Sequence, residues 1–141
     1  IVRHVHSHGV VLADVRPDAF YHVRDGWKLM EMASALPEGE PLPAYRGSQP
    51  MAYAAPEVAA LVVRRIDEED GAPDTPAHPS LDAWGLGLTL FELFGAGPLF
   101  PAAKRAEHLR ALVDGDVDLC LGAVEPASAR HMLQKLLVLR P

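Results

Sequence analysis

Apolar and polar positions fall into short blocks separated by chain breakers. Val10, Val11 and Leu12 form an apolar run, a short buried strand or turn, that leads to Asp14. Pro17 disfavours a helical backbone at Arg16, so 13–18 reads as a loop. Phe20, Tyr21 and Val23 then predict a strand, Asp25-Gly26 a two-residue turn, and Trp27, Leu29 and Met30 the returning strand. The result is a β-hairpin over 19–31. From Ala33 to Pro50 no period holds while Pro and Gly recur, which predicts a long loop. A helix starts at Ala54-Ala55-Pro56-Glu57, with Pro56 in its favoured first-turn position. It ends near Arg65, and Val58, Leu61 and Val62 give it an apolar face. The acidic, breaker-rich stretch that follows predicts a solvated surface insertion over 66–79.

Ser80 opens a helix running to about Phe94, stopped by Gly95. Its Trp84, Leu86, Leu88, Leu90, Phe91, Leu93 and Phe94 point all round the axis, so this central helix, 80–94, is expected to be buried on every side. A loop follows to Pro101. The next helix, 102–113, turns Ala106, Leu109 and Leu112/Val113 inward and ends at Gly115. Residues 116–125 read as irregular. A last helix runs from Pro126 to Leu139, with a stripe of Met132, Leu133, Leu136 and Leu137. Residues 1–9 are too short for a period. His4, His6 and His8 would share one face of a strand, whereas on a helix His4 and His8 would share a face. No internal repeat is visible. The expected class is mainly α with a small β-hairpin.

Composition narrows the function without naming it. The chain has 141 residues, 49% of them hydrophobic, enough for one domain with a core. A net charge of −6 argues against a nucleic-acid surface, which needs clustered Lys and Arg. Cys120 is alone, so no internal disulfide forms, and a cytoplasmic, reducing compartment is expected. No apolar run approaches a membrane span. The chain begins at Ile1 without a Met, in a helix-like pattern, and is read as a piece of a longer protein.

Chemistry concentrates in two places. Asp14 closes an apolar run on a loop braced from both sides, where a general base, a metal ligand or a turn-forming cap would sit. The His4/His6/His8 triplet has the alternation some metal sites use on a strand, which admits a metal-dependent hydrolase as a remote reading. Cys120 has no flanking His or basic residue that would activate it.

Taken together, the motifs resemble the C-terminal lobe of a eukaryotic protein kinase. Leu12-Ala13-Asp14-Val15-Arg16-Pro17-Asp18-Ala19 is similar to the catalytic loop His-Arg-Asp-Leu-Lys-Pro-Glu-Asn. Asp25 to Ala33 is similar to the hairpin that ends in Asp-Phe-Gly, and Ala55-Pro56-Glu57, with Tyr53 before it, is the Ala-Pro-Glu motif intact. Asp82-Ala-Trp84-Gly-Leu-Gly87 matches the Asp-x-Trp-x-x-Gly of the central helix, and Gly97-Pro98-Leu99-Phe100 the Gly-x-Pro-x-Phe after it. The order and spacing match along nearly the whole chain. The resemblance implies a partial kinase domain over 1–141, with a catalytic loop at 12–19, an activation segment at 31–57 and no N-terminal lobe. It places His4, His6 and His8 at the end of a helix entering the catalytic loop, and it implies that Asp82 caps that loop's backbone and that Trp84 is core.

The resemblance also implies roles. Asp14 would be the base that takes the substrate hydroxyl proton, and Arg16 would contact phosphate in place of Lys. Mg·ATP would be the cofactor. Three departures bear on it. Ala19 stands at the metal-binding Asn position, and a methyl cannot ligate. Glu31 stands at the metal-binding Asp position, one methylene longer than Mg²⁺ geometry favours. Leu12 and Ala13 replace His and Arg, so phosphorylation at Tyr45 or Ser48 would not switch the protein in the usual way. Glu57 would want an arginine, and left buried without one it would cost about 3–5 kcal/mol. The expected function is a degenerate protein kinase lobe, ancestrally a Ser/Thr phosphotransferase, serving as a binding or scaffold module. Its partners would be a protein partner or substrate, or the rest of a longer chain. The alternative is an active kinase once joined to an N-lobe.

Overall fold

The computed structural model describes residues 1–42, 51–67, 74–100 and 105–139. The fold is about half helical, with two small antiparallel sheets. It opens with a short helix, α1 (Val2–His6), so His4 and His6 lie on a helix and His8 in the turn after it, none of them on a strand. Strand β1 (Val10–Val11) follows, then the loop from Leu12 and a 3-10 turn over Pro17–Ala19. Strands β2 (Phe20–Val23) and β3 (Gly26–Leu29) form the expected hairpin.

Its turn sits one residue earlier than the pattern predicts. Val23 pairs with Gly26, so Arg24 and Asp25 make the bend. Gly26, at φ +115°, opens the return strand in a conformation few other residues adopt. A second correction lies in the stretch read as an unbroken loop. Strand β4 (Leu36–Pro37) pairs antiparallel with β1, Val11 opposite Leu36. Two residues per strand are too few to show a period, and the backbone bonds come from a partner far away in sequence.

Helix α2 (Pro56–Ile66) has Pro56 in its first turn and buries Ala59 and Val62, with Val58 packed beside them. Glu57 is half-buried and accepts the Ser80 hydroxyl at 3.1 Å, so it is not the unpartnered buried charge expected of it. At the described ends of the stretch expected to be a solvated insertion most residues are exposed, Ala77 being the buried one. Asp67 pairs with Arg110 at 2.8 Å. Residues 75–77 exchange backbone hydrogen bonds with 39–42. Tyr45, Ser48 and most of the acidic run lie outside the described residues.

Helix α3 (Pro79–Phe91) is the axis of the core. Leu81, Trp84, Leu88 and Phe91 are buried with Met51, Val62, Leu109 and Leu133 in one cluster. Its two inner glycines permit close approach. A Cβ on Gly85 would sit 2.6 Å from the Val15 carbonyl oxygen, and one on Gly87 would sit 2.7 Å from Leu137 Cδ2. The helix is not buried all round, however. Leu86 and Leu90 are half-buried, Leu93 is 64% exposed and Phe94 40%. Leu86, Leu90 and Leu93, with Phe20 and Trp27 of the hairpin, line an open apolar groove of about 840 Å³. Past Phe91 the chain widens into a π-type turn, and Gly95 at φ +83° ends it.

Helix α4 (Arg105–Asp114) packs against α2 with Leu109 and Leu112 buried, while Val113 turns outward. Helix α5 (Ala127–Leu136) packs on α3 through Leu133 and Ala129, and Leu137 just beyond it is also buried. Met132, expected in that stripe, is 39% exposed.

Candidate functional site

The loop 12–19 is held against α3 by one carboxylate and one missing side chain. Asp82, in the first turn of α3, is completely buried. Its Oδ2 accepts the Leu12 N–H at 2.8 Å and its Oδ1 accepts the Ala13 N–H at 2.7 Å. His6 reaches in from α1, with Nε2 at 2.7 Å from Oδ2, donating to the carboxylate. A buried carboxylate is tolerable only with such donors around it. The arrangement also explains Ala13, which holds φ +58°. That left-handed backbone costs an alanine about 1–2 kcal/mol, and the bond to Asp82 offsets it. One turn on, the bare Cα of Gly85 lets Val15 lie on the helix, which anchors the loop at a second point.

The cap role expected of Asp82 and the core position of Trp84 are both seen. His6 in this role was not legible, because the triplet drew attention as a metal motif. The three histidines, two on α1 and His8 in the turn after it, separate. His6 turns to Asp82, while His4 and His8 meet edge to face at 4.7 Å and His8 Nδ1 lies 2.8 Å from the His4 carbonyl. Among the described residues no group of three His, Cys, Asp or Glu could hold a metal ion. The described residues do not favour the hydrolase reading.

The loop's outer half carries the charged groups. Asp14 is 13% exposed and accepts Arg16 Nε at 3.1 Å. Arg16 Nη1 donates in turn to Asp18 Oδ2. Burial works against the Arg16 charge, but the hydrogen bonds and charges of Asp14 and then Asp18 outweigh it and hold the guanidinium above its ordinary value. Tyr53 approaches from the segment before α2 and donates to Glu92 at 2.5 Å. Burial, then the bond to Glu92, pushes the Tyr53 phenol well above the usual tyrosine range, and the charge of Asp18 adds to the effect. The Asp18 and Glu92 contacts escaped sequence reasoning. Asp18 lies two residues from Arg16, a spacing that suggests nothing until a tight turn folds it back. A cavity of about 20 Å³ lies between Asp14, Tyr53, Val58 and Leu81, with room for a single water.

The structure brings Asp14 and Arg16 into contact. Ala19 is fully buried, and its backbone joins the loop to the hairpin by accepting the Met30 N–H at 2.9 Å. Glu31 bends onto its own chain, its Oε1 accepting the Ala33 N–H at 2.8 Å. These residues do not fit a Mg²⁺ ion as they stand. Of the two positions that the resemblance gives to metal ligands, one offers a methyl and the other a carboxylate with one oxygen bonded to its own backbone, while Asp14 beside them is bonded to Arg16. Cys120 is exposed, and the hydrogen bond from its thiol to Asp118 raises its pKa and so disfavours the thiolate.

Comparison with known proteins points to one group. The chain is 27% identical over 116 residues to the probable serine/threonine-protein kinase dyrk2 of Dictyostelium discoideum, covering 80% of this chain and 11% of that protein. It is 32% identical over 94 residues to the serine/threonine-protein kinase SBK2 of Mus musculus, covering 64% of this chain and 23% of that protein. No family model matches. The chain thus spans under a quarter of the length of each relative. These distant, partial matches support a kinase-like relation.

Proposed function

We propose that this chain is a protein-kinase-like lobe that has kept the catalytic loop as a structural element and works as a binding or scaffold module. The observation that carries the reading is Ala19. Its methyl is buried where the resemblance expects a metal-binding amide, and the loop is built around it. Supporting it, Glu31 Oε1 is bonded to the Ala33 N–H and Asp14 to Arg16. Mg²⁺ with ATP would need oxygen ligands at the positions of Ala19 and Glu31. On this reading Asp14 is retained for the bond it makes with Arg16, not for proton transfer. The partners are proteins, whether a separate chain or the remainder of a longer one.

The test is phosphoryl transfer by the whole protein that contains this chain, followed with Mg·[γ-³²P]ATP and a mixed Ser/Thr peptide library. The expected result is incorporation equal to that of the Asp14→Asn variant. Incorporation that Asp14→Asn abolishes would overturn the reading and restore the active kinase. Mg·ATP titrated calorimetrically into the same protein should give no saturable heat.

A further inference from the structure

Arg16 makes more contacts than a phosphate-binding residue needs. Its guanidinium spans two carboxylates of its own loop, Nε to Asp14 Oδ2 at 3.1 Å and Nη1 to Asp18 Oδ2. Arg16 and Asp14 are mostly enclosed, with side chains 20% and 13% exposed, while Asp18 is 66% exposed. A guanidinium is planar and permanently charged, and its donors stand in a fixed fork, so one side chain can bridge two carboxylates. Lysine at this position, a point charge on a flexible stem, would not fix both at once. Two carboxylates folded together on a tight loop need a cation between them. Oxygen-rich sites commonly obtain it from a hard divalent metal. Here it comes from the chain itself.

We propose that Arg16 is a built-in counter-ion that locks loop 13–19 in one conformation and occupies the carboxylates a divalent cation would otherwise bridge. The lock deepens the functional reading above, because it is what keeps Asp14 engaged. It ties the inner half of the loop, fixed by Asp82, to the outer half that bears Asp18. It also borders Tyr53, whose phenol feels the charges of both Arg16 and Asp18. The order of the loop then depends on neither metal nor nucleotide.

Metal titrations without nucleotide test this. The wild-type protein should melt at the same temperature in EDTA, in millimolar Mg²⁺ and in millimolar Ca²⁺. Arg16→Gln should melt roughly 4 °C lower in EDTA. It should recover at least half of that loss in Mg²⁺ or Ca²⁺, since its freed carboxylates now accept the ion. Adding Asp18→Asn to Arg16→Gln should abolish the recovery. A wild-type melt that rises with either metal would overturn the lock, as would an Arg16→Gln melt equal to wild type or a loss that neither metal restores. Asp18→Asn alone changes an exposed side chain and so does not threaten folding. It should raise carbodiimide labelling of Asp14, read by peptide mass spectrometry, several-fold, and unchanged labelling would also overturn the lock. Phosphoryl transfer by the whole protein would refute the functional reading and leave these metal-only outcomes to be judged separately.

Discussion

Two carboxylates at opposite ends of the same site have opposite surroundings. Asp82 is fully buried and takes hydrogen bonds from His6, Leu12 and Ala13, three donors from two segments about seventy residues away. Glu31 is half-buried and takes one, from a residue two places along its own chain. The first is a junction of the fold, and removing it would unfasten α1 and the loop from α3 together. The second is a local turn that closes on itself. The difference shows where the kinase-like pattern has been retained. The contacts that shape the loop are in place, and on the reading proposed above Ala19 and Glu31 stand where metal ligands would be, one apolar and one bonded to its own backbone. Selection for a packed core would keep Asp82 whatever the chemistry, because each of its donors would otherwise be buried unpaired.

The comparison breaks most visibly at Asp82. Asp82→Ala leaves the Leu12 and Ala13 N–H groups and His6 without their acceptor. The expected loss is about 3–5 kcal/mol, a large part of the stability of a chain this size. Urea unfolding followed by far-UV circular dichroism should show the midpoint collapse. A midpoint within error of wild type would mean that the loop stands without α3. Gly85→Ala attacks the second anchor. Its new Cβ would meet the Val15 carbonyl oxygen, a backbone atom that cannot swing aside. The loss should be about 1–3 kcal/mol, as for overpacked cores. Amide exchange at Leu12 and Ala13 should rise with it, because the loop lifts from the helix as a unit.

Tyr53 offers a smaller effect with a pH signature. Its folded pKa lies above the unfolded value of about 10, so the folded state holds the proton more tightly. The associated stability is fully present below about pH 10 and is lost as pH rises from there toward the folded value. Thermal melts should therefore be flat in this respect through neutrality and fall in the alkaline limb. Tyr53→Phe should cost about 1 kcal/mol at neutral pH, the worth of one hydrogen bond, and should flatten part of that limb. An alkaline limb unchanged in the variant would show that Tyr53 is not the group responsible.

These residues also show what was legible from sequence. The hairpin, α2 and α4 could be read because breakers mark their ends and their periods run for two turns or more. Asp82 could be read as a cap only through the resemblance, since a lone acid on an apolar helix has no periodic meaning. The pairing of β1 with β4 left no trace, because two-residue strands carry no alternation. Leu93 departs from its expected burial for a different reason. An all-apolar helix implies that every face is covered, yet within the described residues the face toward Phe20 and Trp27 is open. Apolar pattern reports what a helix is suited to bury. It does not report which atoms of this chain are there to bury it. Similarly, the Arg16 bridge depends on a 3-10 turn at Pro17–Ala19 that folds Asp18 back, a matter of dihedral angles and not of residue type.

The smallest expected effect sharpens the contrast from its other end. In Glu31→Gln the amide oxygen can still accept the Ala33 N–H, and no other described hydrogen bond to Glu31 is disturbed. Stability should stay within about 0.5 kcal/mol of wild type, the range of surface changes away from structural junctions. The matched substitution Asp82→Asn keeps the same outline but turns one acceptor oxygen into an NH₂ that faces either the Ala13 N–H or the donors His6 and Leu12. Donor then meets donor at a fully buried position. The two amides should therefore separate widely in urea midpoint although each removes a single negative charge. If Glu31→Gln lost as much stability as Asp82→Asn, Glu31 would be holding a group beyond Ala33, and the division between frame and forsaken ligand positions would have to be redrawn.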